Sequence, residues 1–317
     1  MQFTTKIPVQ KSTFPIDYDS KVMLLGSCFA ENMGKKFDYF KFQATTNPFG
    51  IIFNAVSLEK LIRRAVENRT FTENDIFFHN DLWHCYEVHS ELSNSDKDAF
   101  LESLNDIIRS TNKQLNDSTH IIITLGTSWV YRNIESNEIV ANCHKIPQKQ
   151  FTKELLSIHQ TEESLQSIIS LIHSVNPNCN FIFTVSPVRH IKDGFAENTL
   201  SKAHLIAAIH KTITNHPSPI TYFPAYEIMM DELRDYRFYA EDMLHPSQTA
   251  IDYIWIQFFE NYISESVFGL MKEICSIQKG LQHRPFNPNT ESHQKFLNQL
   301  DLKIKAIKNQ YPFIKFC

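Results

Sequence analysis

The chain has 317 residues with only 7 glycines, and 31 Lys+Arg against 35 Asp+Glu leave a formal net charge of −4. So few glycines exclude collagen-like and linker-like chains, and their scatter excludes both the G-x-G-x-x-G dinucleotide fingerprint and the G-x-x-x-x-G-K-[ST] phosphate loop. Mild acidity offers no basic field to recruit nucleic acid or anionic lipid, while a composition 42% hydrophobic and 21% charged is that of a chain with a sizeable core.

The first twenty residues contain no continuous apolar stretch and no small-residue cleavage site, so no secretory leader is expected, and no window approaches the roughly 18 apolar residues of a membrane span. Lys21 to Leu25 (KVMLL) reads as a buried strand ending at Gly26-Ser27, followed by an amphipathic helix to about Phe40. A second strand, Phe42 to Thr46, ends in Asn47-Pro48-Phe49-Gly50. Helices are predicted from about Ser57 to Asn68 and from about Asp96 to Asn116, with Phe77 to His89 between them as a hairpin or lid. His120 to Leu125 (HIIITL) is the most strand-like run and ends at Gly126-Thr127-Ser128. A helix from about Glu162 to Ser174 leads to the strand Asn180 to Val185, ending at Ser186-Pro187, and a helix from about Ser201 to Asn215 leads to a fifth strand, Ile220 to Phe223. Beyond about Gln248 the pattern is helical: Ala250 to Tyr262, Ser266 to Leu281 and Ser292 to Asn309.

Strands alternating with helices of this length predict an α/β fold, a three-layer, doubly wound parallel five-stranded sheet of flavodoxin-like order. It is expected to occupy residues 1–255, with residues 256–317 as a helical C-terminal extension packed on it. In such a sheet the ligand crevice lies outside the carboxyl ends of the strands. Gly26, Gly50 and Gly126 all follow predicted strands, and so do the polar residues that could carry chemistry.

Ser27 lies at a strand-to-helix turn, where its hydroxyl would project from the strand end and its own N–H would face the same space. That suits a nucleophile with one oxyanion donor built in, and it equally suits a helix N-cap. Asp242-Met243-Leu244-His245 precedes another helical pattern, with Pro246 as its first residue. A serine needs a base and the base an orienting carboxylate, and D-x-x-H in a tight turn can aim both at one point. A capping aspartate beside a solvated histidine has the same spacing. An α/β sheet, however, would put both turns on one edge.

Gly26-Ser27-Cys28-Phe29-Ala30 spells G-S-C-F-A, and with D-x-x-H downstream the chain, from about Lys21 to Trp255, resembles the GSCFA family, itself similar to the SGNH (GDSL-like) hydrolases. The resemblance implies Ser27 as nucleophile, His245 as general base and Asp242 as its orienter. SGNH enzymes draw further oxyanion donors from a glycine after the second strand and an asparagine in a G-x-N-D segment after the third. Gly50 stands where the glycine would. Gly126-Thr127-Ser128-Trp129 replaces the other segment, with Ser128 in the asparagine's place and Asn47 as an alternative source of the amide. Asn142-Cys143-His144-Lys145 and Ser186-Pro187-Val188-Arg189-His190 resemble further GSCFA segments, which makes Cys143, His144, Arg189 and His190 candidates for substrate binding, Arg189 as a bidentate clamp on an anionic or sugar-like group.

Two rival chemistries are weaker. Cys28, following the serine in a helical turn, is expected to pack as a small hydrophobe. His79, His84 and His89 recur at five-residue spacing, which is not that of a helical zinc pair, so no metal and no cofactor is expected. Cys28, Cys85, Cys143, Cys179, Cys275 and Cys317 form no C-x-x-C pair and read as mostly reduced, buried thiols of a cytoplasmic protein. The expected activity is that of a serine hydrolase acting on a carboxylic ester, with acylated carbohydrates among the substrates. The alternatives are an acyltransferase in polysaccharide assembly and a non-catalytic carbohydrate- or nucleotide-binding protein. The only partner expected is a small-molecule or carbohydrate ester, with no nucleic acid and no membrane; oligomeric state is left open.

Overall fold

A computed structural model describes residues 4–216 and 220–316; the first three residues and Cys317, which enter the readings above, lie outside the described residues. In chain order the strands are β1 (Lys21–Gly26), β2 (Gln43–Thr46), β3 (Phe77–His79), β4 (Leu82–His84), β5 (His120–Leu125), β6 (Trp129–Asn133), β7 (Ile139–Val140), β8 (Phe151–Leu155), β9 (Asn180–Val185) and β10 (Ile220–Tyr222). The α-helices are α1 (Cys28–Tyr39), α2 (Ala55–Val66), α3 (Lys97–Asp117), α4 (Ile158–Val175), α5 (Phe195–Asn215), α6 (Ala225–Glu227), α7 (Gln248–Tyr262), α8 (Phe268–Gln282) and α9 (Glu291–Gln310).

Strands β2, β1, β5, β9 and β10 pair in that order, every pair parallel. This is the doubly wound order expected from the alternation of strands and helices. The chain winds one way from β1 to β2, then returns to the other side of β1, so the winding reverses between β1 and β5 and opens a crevice at their carboxyl ends. The inner strands β1, β5 and β9 are buried and apolar along most of their length because both faces are covered, whereas the edge strand β2 (QATT) is polar and half-buried. Met23, Leu25, Ile121, Ile123, Phe181 and Phe183 pack under α2, α3, α4 and α5, while Val22, Leu24, Ile122 and Ile182 pack under α1, α7 and α8. Each such side chain contributes about 1.5–3 kcal/mol by leaving water, which makes the sheet the rigid platform for whatever its edge carries.

The C-terminal helices join the same core. Met271, Ile274 and Ile277 of α8 and Leu300 and Ile307 of α9 share a cluster with Phe37 and Phe42, and Tyr18 lies between Phe42 and Tyr311 at ring distances of 4.5 and 5.5 Å. The expected boundary after residue 255 falls inside α7, whose Ile254, Trp255 and Phe258 are all buried in that cluster. No helix among the described residues is long and apolar enough to cross a membrane.

Two features depart from expectation. Strands β7, β6 and β8 form a small antiparallel sheet that the sequence pattern did not signal, since WVYRN and FTKEL are mixed and half-exposed. Pro246 is not the first helical residue: α7 begins at Gln248, Ser247 caps it by accepting from the Ala250 N–H at 3.3 Å, and Pro246 bridges to Tyr239. The segment from Phe77 does form a hairpin, β3–β4, turning at Asn80-Asp81 with φ of 47° and 61°, the left-handed pair that a two-residue turn needs.

The tightest backbone approach in the sheet is at Gly26, which has φ +129° and would place a Cβ 2.1 Å from the Thr124 carbonyl oxygen. Gly26→Ala is therefore expected to lose about 3 kcal/mol or more in urea unfolding, strain and overpacking together. Gly269→Ala, with nothing within 4 Å of the added methyl, is expected to gain up to about 1 kcal/mol.

Candidate active site

Strand β1 delivers Ser27 to the switch point. Its N–H donates to the Thr124 carbonyl at 3.0 Å, extending the β1–β5 ladder by one residue. Its Oγ accepts from the Phe29 N–H at 3.3 Å as the N-cap of α1, and the residue is 1% exposed. Cys28 is half-buried, and its thiol is pushed up by that burial and by Glu31, against the opposing charge of Lys202, so it stays protonated.

The Asp242–His245 turn is built by the aspartate itself. Oδ1 accepts from the Leu244 and His245 N–H groups at 2.9 and 3.0 Å, and Oδ2 lies 2.5 Å from His245 Nδ1. Met243 takes φ 60° to close the turn. The two backbone N–H groups and then the imidazole hold the Asp242 carboxyl down at about 2, so it is ionised wherever an imidazole titrates. With Nδ1 committed, His245 has Nε2 left to exchange protons.

The loop after β9 fastens this turn. The Arg189 N–H donates to the Leu244 carbonyl at 3.3 Å and its guanidinium Nη2 donates to the Met243 carbonyl, while the guanidinium lies 4.4 Å from the Tyr239 ring centroid and 5.3 Å from that of Tyr236. Arg189, expected to clamp substrate, bonds the turn through Nη2, and its buried Nε has no hydrogen-bond partner among the described residues. A cavity of about 360 Å³ opens beside it, walled by Phe53, Thr127, Trp129, Tyr131, Val188, His190, Leu244 and His245. The His190 imidazole is kept neutral, its pKa pushed down to about 3 by burial and then by the charges of Lys202 and His245, and its Nε2 has no partner among the described residues. Ser27 is not one of the residues lining this cavity.

The expected oxyanion donors are differently placed. Besides the Ser27 N–H bound to Thr124, the Gly50 N–H donates to the Asn47 carbonyl at 2.8 Å and the Gly126 N–H to the Phe53 carbonyl at 2.8 Å. The Ser128 hydroxyl donates to the Ser201 carbonyl at 3.0 Å. None of these four donors has a hydrogen to spare in this conformation. Gly50 instead lets the chain pass His89, whose Cβ a methyl there would meet at 2.3 Å. Asn47 is the exception: its Oδ1 accepts from the Gly26 N–H at 2.8 Å, and its buried Nδ2 has no partner among the described residues.

The family model described as "GSCFA family" matches residues 21–258, and the one described as "GSCFA domain protein, C-terminal domain" matches residues 274–316. The chain belongs to the GSCFA family. No curated protein matches it. Among solved structures, the crystal structure of a carbohydrate esterase family 3 from Talaromyces cellulolyticus is similar at 10% identity and a TM-score of 0.37, over 80% of this chain and 99% of that one.

Within the GSCFA match, Cys143 and His144 do not reach the His245 cavity. Cys143 lines a separate hollow with Tyr131 and Phe151, and His144 is buried against the hairpin, its Nε2 on the Cys85 carbonyl at 2.7 Å and its ring near Phe77 and His84. Thr127 does line the cavity, its hydroxyl paired with Ser201 at 2.8 Å. Sequence reasoning missed the residues of α5 that hold these loops, Asn198, Ser201 and Lys202. A signal existed, since Lys202 shares the helical stripe of Leu205 and Ile209, where a lysine has no business without a polar task.

Burial holds His190 near 3 and His144 near 4 and lowers His120, all below the ordinary 6.5. The unfolded chain therefore binds more protons than the folded one between about pH 6.5 and 4, and stability rises with pH across that window. The melting temperature is expected to fall steadily from pH 7 to 4, less steeply in His144→Gln; a flat profile would show that these rings reach water in the folded protein.

Proposed function

We propose that the chain is a serine esterase in which Ser27 attacks a carboxylic ester, His245 takes its proton and Asp242 orients the imidazole. The observation that carries this reading is the Asp242–His245 pair, which commits Nδ1 at 2.5 Å, leaves Nε2 available and lines a cavity at the same sheet edge where Ser27 follows the last residue of β1. Ser27 Oγ bonds to the carbonyl carbon as its proton passes to His245 Nε2, and the alcohol leaves with that proton. Water then attacks the acyl-enzyme by the reverse transfer. Each positioned proton transfer is worth about 10²–10⁴ in rate. The free chain shows no bond between Ser27 and His245; such bonds commonly tighten only in the Michaelis complex.

Asn47 takes the oxyanion role in this reading. Its amide is aimed by the Gly26 N–H, one residue from the nucleophile, and has hydrogens to give. The cavity fits a substrate group with an apolar face and a few oxygen acceptors, because Phe53, Trp129 and Tyr131 offer flat surfaces while Arg189 Nε and His190 Nε2 lack partners. An acyl group or the ring of an acylated sugar has that character.

A second reading, a non-catalytic carbohydrate- or nucleotide-binding protein, is favoured by the engagement of the Ser27 and Gly50 N–H groups and the Ser128 hydroxyl. A fluorophosphonate probe separates the two. Labelling at Ser27, abolished in Ser27→Ala, is the expected result, and an unlabelled wild-type chain would leave the binding reading. Asn47→Asp keeps the acceptor for Gly26 and removes the donor, so labelling and ester hydrolysis should slow by about 10²–10³ with the fold intact by circular dichroism.

A further inference from the structure

Helix α5 turns three polar side chains, Asn198, Ser201 and Lys202, towards the sheet edge, and each holds a strand-end loop. Asn198 Oδ1 accepts from the His190 N–H at 2.8 Å, and Ser201 Oγ accepts from the Ser128 N–H at 2.7 Å. Lys202 holds both loops at once, its Nζ donating to the Gly126 and Ser186 carbonyls at 2.7 Å each. It is 1% exposed, and no carboxylate pairs with it among the described residues. The groups that face it are the Cys28 thiol of α1, the Tyr226 ring of α6 at 5.6 Å and the His190 imidazole of the loop after β9.

A buried ammonium without a counter-charge is costly, and a leucine or methionine would fill this stripe of α5 at less cost. The two carbonyls it joins point to a reason. Gly126 begins the loop that carries Thr127 and Trp129 into the cavity wall, and Ser186 begins the loop whose Arg189 fastens the Asp242–His245 turn. We propose that Lys202 is a positioning residue for the reaction, its ammonium clamping the two strand-end loops so that the His245 turn is held in register with Ser27. The proposal rests on the esterase reading above.

Burial lowers the Lys202 pKa to about 7, with the Cys28 thiol opposing. Charge-assisted bonds are roughly twice as strong as neutral ones, so deprotonation slackens both. Turnover is then expected to decline as pH rises from 7 to 9. The unfolded lysine titrates near 10.5, so between about pH 7 and 10.5 the unfolded chain holds the extra proton and stability rises with pH. Activity and stability thus move in opposite directions, which a merely structural lysine would not produce.

The test follows p-nitrophenyl acetate hydrolysis, corrected for the buffer rate, and fluorophosphonate labelling of the full chain at pH 7 to 9. Lys202→Met is expected to lower kcat at least tenfold at pH 7, to leave KM within about twofold, and to abolish the alkaline decline. A Lys202→Met variant with wild-type kcat and wild-type pH profile, while the wild type labels at Ser27, overturns the proposal alone. A wild type that neither labels nor hydrolyses overturns the esterase reading beneath it. Should Lys202→Met not fold, the wild type decides: falling kcat with rising melting temperature above pH 7 supports the clamp, and a kcat independent of pH between 7 and 9 refutes it.

Discussion

At the carboxyl ends of β1 and β5 the backbones come so close that Gly26 has no room for a side chain, its Cβ position lying 2.1 Å from the Thr124 oxygen. This approach lets the Ser27 N–H continue the ladder onto Thr124, which fixes where the serine leaves the strand. The same bond takes that N–H out of use as an oxyanion donor. On its other side the Gly26 N–H holds Asn47 Oδ1 and so aims the Asn47 amide. One crowded glycine thereby places Ser27, engages the Ser27 N–H, and orients the Asn47 side chain.

The remainder of the site hangs from a different element. The loops after β5 and β9 carry the cavity wall, and the second of them grips the Asp242–His245 turn through Arg189. Both loops are bonded to the polar stripe of α5, which is anchored in the core by Leu205 and Ile209. Ser27 is thus set by the sheet and His245 by a helix packed on it. Their relative position depends on the few bonds between α5 and the strand ends.

Much of this was legible in the sequence because the relevant physics is local. A sheet covered on both faces writes its inner strands as nearly continuous apolar runs, and KVMLL, HIIITL and NFIFTV could be read directly. Ser27 and the Asp242–His245 turn were legible because a strand-to-helix junction and a D-x-x-H turn each lie within a few residues. The donors were not, because their partners lie far along the chain: Gly26 meets Asn47 across 21 residues, Ser128 meets Ser201 across 73 and Lys202 meets Gly126 across 76. Cys143 and His144 were candidates through their resemblance to a family segment; His144 bonds the Cys85 carbonyl, 59 residues away, and packs against the hairpin.

Asn47 concentrates what the local pattern could not resolve. It adopts φ 42°, in the left-handed region that asparagine tolerates at some cost, and it leaves a buried amide donor unpaired, a loss of about 1–3 kcal/mol. Either feature alone has ordinary explanations in a turn. Their coincidence one residue past the end of β2, at a side chain bonded to the last residue of β1 and so beside a serine whose own N–H is already spoken for, is harder to account for by folding. A chain selected for stability alone would have turned that amide to water or replaced it. Strain and an unsatisfied donor held together at a crevice are what a site shows when its missing partner is a ligand atom, and here that atom would be an oxygen next to Ser27.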